Sequence, residues 1–207
     1  MTISVAVAVI VPVAFYTLQI GFPAGQLEQA NSNFGFFDGN KSTVENPRSR
    51  AEAVPIFQTS VVPAVQGYHH ITYASVEKLN QSSLLFTVGL AGDPNRNTKY
   101  ETSYHWRLLS SSSHLAEQDY TIIIPNFAND SDFPKKGWYY AIFNNTSGSY
   151  VVPMRMIGPM PSDKVVLPVS IAYLGDPLRF YYSVTVEVRV NATNFDRGPD
   201  YMMDVAP

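Results

Sequence analysis

The chain has 207 residues, no cysteine, 13% aromatic residues, only 15% charged residues and a formal net charge of −3. Without cysteine there are no disulfides, cysteine zinc sites, iron–sulfur clusters or thiol catalysis, and the mild acidity argues against coating nucleic acid by bulk charge. A charge-poor chain of this length can bury one core, so a single domain over residues 1–207 is expected.

The first 22 residues are the most apolar segment. Ile3, Val5, Val7, Val9, Val11, Val13 and Phe15 alternate with Ser4, Ala6, Ala8, Ile10, Pro12, Ala14 and Tyr16. Large residues against smaller ones at period two are the mark of a strand, which places Val5, Val7, Val9 and Val11 in a core. The competing reading is a secretory signal or a membrane segment. A signal opens with basic residues, yet no Lys or Arg precedes Lys41. A spanning helix requires about 20 apolar residues, and Ser4, Pro12, Thr17 and Gln19 interrupt this run. A membrane span is therefore not favoured.

Residues 23–53 are rich in Asn, Ser and Gly and keep no period. They read as a long loop insertion, with a short helix near 25–31. Phe34, Phe36 and Phe37 stand out in it. Aromatics in a polar connection either bury under their own loop or anchor on a partner, which makes these three the candidate subunit-interface residues.

From residue 54 onward, short apolar runs are punctuated by turn residues. Strands are predicted over 55–65, 69–76, 83–90, 103–110, 119–125, 138–144, 149–157, 165–174 and 179–190. Only 74–81 and 113–118 offer a turn or two of helix. The clearest strand is the last. Phe180, Tyr182, Val184, Val186, Val188 and Val190 share one face, so Val184, Val186 and Val188 are predicted core. Tyr181, Ser183, Thr185, Glu187 and Arg189 share the other, toward water or a polar neighbour. Pro12, Pro125, Pro153 and Pro168 inside strand-like runs imply edges or bulges. The expected fold is all-β: an antiparallel β-sandwich of jelly-roll type, with about 8–10 strands and long loops.

Chemistry-bearing patterns are sparse. No HExxH, GxSxG, P-loop or dinucleotide fingerprint occurs. His69 and His70 are neighbours and point to opposite sides of a strand; one of them with His105 across strands, and Glu101 as an optional further ligand, makes a geometrically feasible metal site. Asn129, Asp130 and Asp132 supply oxygen ligands without a full calcium-loop pattern. N-x-S/T sequons begin at Asn40, Asn80, Asn129, Asn144, Asn145 and Asn191. In a chain this rich in Asn, Ser and Thr, chance matches are expected. The expectation is no enzyme, no cofactor and no metal.

The segments 67–76, 137–143, 149–158 and 180–194 give the chain a texture that resembles the jelly-roll coat proteins of small icosahedral RNA viruses of the picornavirus-like group. The resemblance implies a structural role. The chain would self-assemble with itself or sister coat proteins into a shell and reside in the virion, with a host receptor as a further partner. A basic N-terminal arm is missing, so extensive nucleic-acid contact is not expected. The alternative is a secreted or cell-surface β-sandwich glycoprotein that binds a glycan or a protein partner.

Overall fold

The computed structural model describes residues 34–56, 61–110, 119–128, 135–190 and 201–206. Twelve strands occur among them: β1 (Gly35–Phe37), β2 (Lys41–Glu45), β3 (Val54–Pro55), β4 (Ile71–Asn80), β5 (Ser83–Leu90), β6 (Glu101–Leu109), β7 (Tyr120–Phe127), β8 (Gly137–Asn144), β9 (Ser149–Ile157), β10 (Lys164–Ser170), β11 (Phe180–Arg189) and β12 (Tyr201–Ala206). The larger sheet runs β3-β12-β11-β6-β7-β8-β9, with β1 also on β11; the smaller runs β10-β5-β4-β2. Every pairing is antiparallel, and the chain is an all-β sandwich. Among the described residues, no helix is long and apolar enough to cross a membrane.

Period-two alternation explains how the sheets meet. Ala74, Val76, Leu84, Phe86, Val88, Val165, Leu167 and Val169 of the smaller sheet form one cluster with Tyr104, Trp106, Ile122, Ile142, Tyr182, Val184, Val186 and Val188 of the larger. An aromatic contact joins the layers: Phe86 meets Trp106 edge-on with centroids 5.1 Å apart, and within the larger sheet Trp106 reaches Tyr182 at 5.5 Å. Val184, Val186 and Val188 are all 0% exposed.

Two crossings link the layers in parallel. β5 pairs β10 in one sheet, and their continuations β6 and β11 pair in the other. The second crossing departs from the predicted strand over 165–174. β10 ends at Ser170, and a 3-10 turn, Ile171–Leu174, closes on Gly175 at φ 73. That left-handed φ favours glycine, and buried Leu174 anchors the corner. β6, β7, β8 and β9 then run as a meander within one sheet. The sandwich is plain; the finer jelly-roll arrangement is not established by this order.

The prolines sit where the ladder tolerates them. Pro153 and Pro168 lie on β9 and β10, both sheet edges. Pro125 lies on interior β7, and the β7–β8 register skips Ile124 and Pro125.

Several expectations need correction. Residues 23–53 are not loop throughout, because β1 and β2 fall inside them. Residues 74–80, a helical candidate, belong to strand β4. Among the described residues of the predicted 55–65 strand, only Pro55 is in a strand, β3, and residues 61–66 have no regular structure. β12, Tyr201–Ala206, lies beyond the last predicted strand, 179–190. β1, β2 and β12 share a cause: short segments gain strand structure from the longer strand they pair with, which no local period reports. Phe37 is corrected as an interface residue. It is 1% exposed and packs on Phe180 at 5.0 Å, inside its own core. Phe36 points the other way, 43% exposed, against Tyr181 at 4.8 Å; Phe34 is half-buried. β1 can lie on β11 because Gly35 has no side chain: a Cβ there would come within 2.2 Å of the Tyr182 ring. Val5, Val7, Val9 and Val11, the helical candidates at 25–31 and 113–118, and the Asn129, Asp130 and Asp132 group lie outside the described residues.

The second face of β11 is also different in kind. Ser183, Thr185, Glu187 and Arg189 are all buried, so this strand is covered on both sides.

Candidate functional site

The three described histidines, His69, His70 and His105, each have a different partner. His69 closes a short 3-10 turn, Gly67–His69. Its Nδ1 accepts the Gln66 backbone N–H at 3.1 Å, so Nε2 carries the ring proton and faces Thr102 Oγ1 at 3.5 Å. Burial lowers its pKa to about 4. His69 is therefore a neutral brace at physiological pH. His70 instead points its Nδ1 at Asp204, 3.0 Å away. His105 lies beside Glu187 on the outer face of the larger sheet, 3.5 Å from its carboxylate. The His69 or His70 with His105 arrangement is not formed, and no group of three or more His, Cys, Asp or Glu among the described residues could hold a metal ion.

The His69 brace carries a pH signature. The unfolded chain takes up a proton near pH 6.5 and the folded chain only near 4. Stability should fall as pH drops through that window and level off below it, by roughly 3 kcal/mol at about 1.4 kcal/mol per pH unit. Denaturant titrations at stepped pH should show this slope, and His69→Gln should flatten it. An unchanged slope in the variant would contradict the assignment.

A second polar group fills the outer face of β6 and β11. Glu187 accepts from Thr185 Oγ1 at 3.1 Å and lies 3.7 Å from Arg107. Glu101 accepts from Ser103 Oγ at 3.2 Å and lies 3.4 Å from Arg189. Burial raises the Glu101 pKa against the opposing pull of Arg189 and Ser103, and burial lowers those of His105 and Arg107. Each carboxylate is matched by a guanidinium, an ionic ladder that fits sheet cohesion better than acid–base work.

An open cleft lies elsewhere, where the turn at 66–70 meets the loop at 92–100. Gly67 and Gly92 touch backbone to backbone there; a Cβ on Gly92 would fall 2.9 Å from the Gly67 carbonyl carbon. The loop is tied down by amide side chains. Asp93 Oδ1 accepts from the Asn95 backbone N–H at 3.0 Å. Asn95 Nδ2 donates to Met160 O at 2.7 Å, and its Oδ1 accepts from Trp138 Nε1 at 3.0 Å and from the Met160 N–H at 3.2 Å. Asn97 Nδ2 donates to Tyr100 O at 2.7 Å. Asn126 Nδ2 donates to Pro94 O at 2.8 Å. From below, Tyr104 OH donates to Tyr68 O at 2.8 Å.

These ties frame a cleft of about 430 Å³ lined in part by Gln66, Tyr68, Arg96, Thr98, Lys99 and Tyr100. Arg96 is 84% exposed along its side chain and only 3.7 Å from Asp93; Lys99 Nζ lies over the Tyr100 ring at 4.9 Å. The cleft offers amide, hydroxyl, phenol and cationic groups on a braced frame, which suits binding of a polar ligand. Residues 92–100 fall between the predicted strands 83–90 and 103–110 and show no regular period in the sequence. The alternation Asp93, Asn95, Asn97 is the signal that was available, since Asp and Asn side chains build such loops by bonding nearby backbone.

No family model, curated protein or solved structure matches this chain.

Proposed function

We propose that the protein is a β-sandwich recognition module of the secreted or cell-surface type, and that the cleft between the turn at 66–70 and the loop at 92–100 binds a glycan. The supporting observation is the cross-braced loop. A frame already held by Asn95, Asn97 and Asn126 loses little freedom when a ligand arrives, so contacts at the rim convert into affinity. Its volume falls in the range of small-molecule sites. Two cations, Arg96 and Lys99, against one acid, Asp93, favour sugars that carry a carboxylate or sulfate. Titration against neutral and acidic oligosaccharides should show micromolar-to-millimolar binding. Arg96→Ala and Thr98→Ala should weaken it about 10-fold, equal to about 1.4 kcal/mol, while Glu45→Ala on exposed β2 should not. Binding that ignores both cleft variants, or no saccharide binding, would overturn this reading.

A second reading is the coat protein of an icosahedral shell. Exposed apolar side chains beside the start of β11 favour it: Leu178, just before the strand, is 82% exposed, and Phe36 of the paired β1 is 43% exposed against Tyr181. A neighbouring subunit would cover them. Light scattering on native material separates the readings, since a shell scatters as a megadalton particle and the module as a 23.0 kDa chain.

A further inference from the structure

The hairpin tip between β4 and β5 carries the sequon Asn80-Gln81-Ser82. Every residue from Glu77 to Ser82 is exposed, so the tip stands clear of both sheets. Asn80 Oδ1 accepts from the Ser82 backbone N–H at 2.9 Å and from Ser82 Oγ at 3.1 Å. The side-chain amide is thus polarised by the hydroxyl two residues on, and among the described residues no partner holds Nδ2.

The other described sequons are engaged. Ser42, the hydroxyl partner of Asn40, bonds Tyr182 OH at 2.9 Å. Asn145 spends its Nδ2 on Thr121 Oγ1 at 3.0 Å. Asn144 is half-buried and its Oδ1 accepts from the Ser147 N–H at 2.9 Å. Asn129 and Asn191 lie outside the described residues.

We propose that Asn80 is the acceptor of an N-linked glycan. The co-reactant is a lipid-linked oligosaccharide phosphate or pyrophosphate. Nδ2 forms a bond to the anomeric carbon as the C1–O bond to phosphate breaks. The phosphate leaves with the bonding pair, and the amide gives one proton to a base on the transferase. No electrons are transferred. The exposed tip accommodates the sugar without displacing core residues. This assignment shares with the recognition-module reading only its compartment and does not depend on the cleft.

The test is glycopeptide and intact-mass spectrometry of the full chain recovered from its source cells. The peptide containing Asn80 should carry a hexose-based mass. Asn80→Gln and Ser82→Ala should lose it, and Gln81→Ala should keep it. Unmodified Asn80 in the parental chain, or a sugar mass that survives Ser82→Ala, would overturn the proposal. The parental peptide decides the matter even where a variant folds poorly. Saccharide titration of the enzymatically deglycosylated chain reads the cleft separately, so failure of one proposal is distinguishable from failure of the other.

Discussion

Val186→Asp and Thr185→Asp should both prevent recovery of soluble, folded protein, although the two side chains point to opposite faces of β11. Val186 is 0% exposed in the sandwich core. Its replacement forfeits about 1.5–3 kcal/mol of apolar burial and adds an unpaired buried charge costing several kcal/mol more, against a total stability of about 5–15 kcal/mol for a typical domain. A simple amphipathic strand would tolerate the second change. Here Thr185 is 1% exposed, and its hydroxyl donates to Glu187 Oε1. An aspartate there removes that donor and sets a second carboxylate against Glu187 inside the ionic ladder. Expression and thermal melting of both variants test this. A soluble Thr185→Asp with parental melting would show that the outer face of β11 is solvated.

The second large effect is expected at Asp204. This β12 residue is 0% exposed. Its Oδ2 accepts from the Ile71 backbone N–H at 2.9 Å and from Asn46 Nδ2 at 3.0 Å, and pairs with His70 Nδ1 at 3.0 Å. Its Oδ1 accepts from the Val205 N–H at 2.9 Å. One carboxylate therefore ties the last strand of the larger sheet to the start of β4 in the smaller. Asp204→Ala strands these donors and should cost about 3–5 kcal/mol. Asp204→Asn keeps acceptor capacity at one oxygen and should cost less. Denaturant unfolding of both variants gives the comparison, and equal, small losses would show that the clasp carries little energy.

The alternation from Phe180 to Val190 was sufficient to place a strand and to name Val184, Val186 and Val188, because a period of two leaves no freedom about which residues share a face. The same holds for β5, whose predicted span of 83–90 matches Ser83–Leu90. Phe37 was less legible. Its aromatic neighbours marked a feature, but whether that feature met its own core or a partner depended on the pairing of β1 with β11. The cleft was nearly invisible, since its ties span pairs as distant as Asn95 with Met160 and Tyr68 with Tyr104.

By itself the sequence determined the class of fold: cysteine-free, proline-punctuated, with period-two runs that can bury one face and end at turn residues. Tertiary structure alone decided which strands are neighbours, that β12 joins the sheet, that β11 is buried on both faces, and that Asp204 and the loop at 92–100 are points of connection. The reason is physical. Side-chain period is a local property of the backbone, whereas a buried carboxylate or a braced loop exists only where residues far apart in the chain bring donors to the same acceptor.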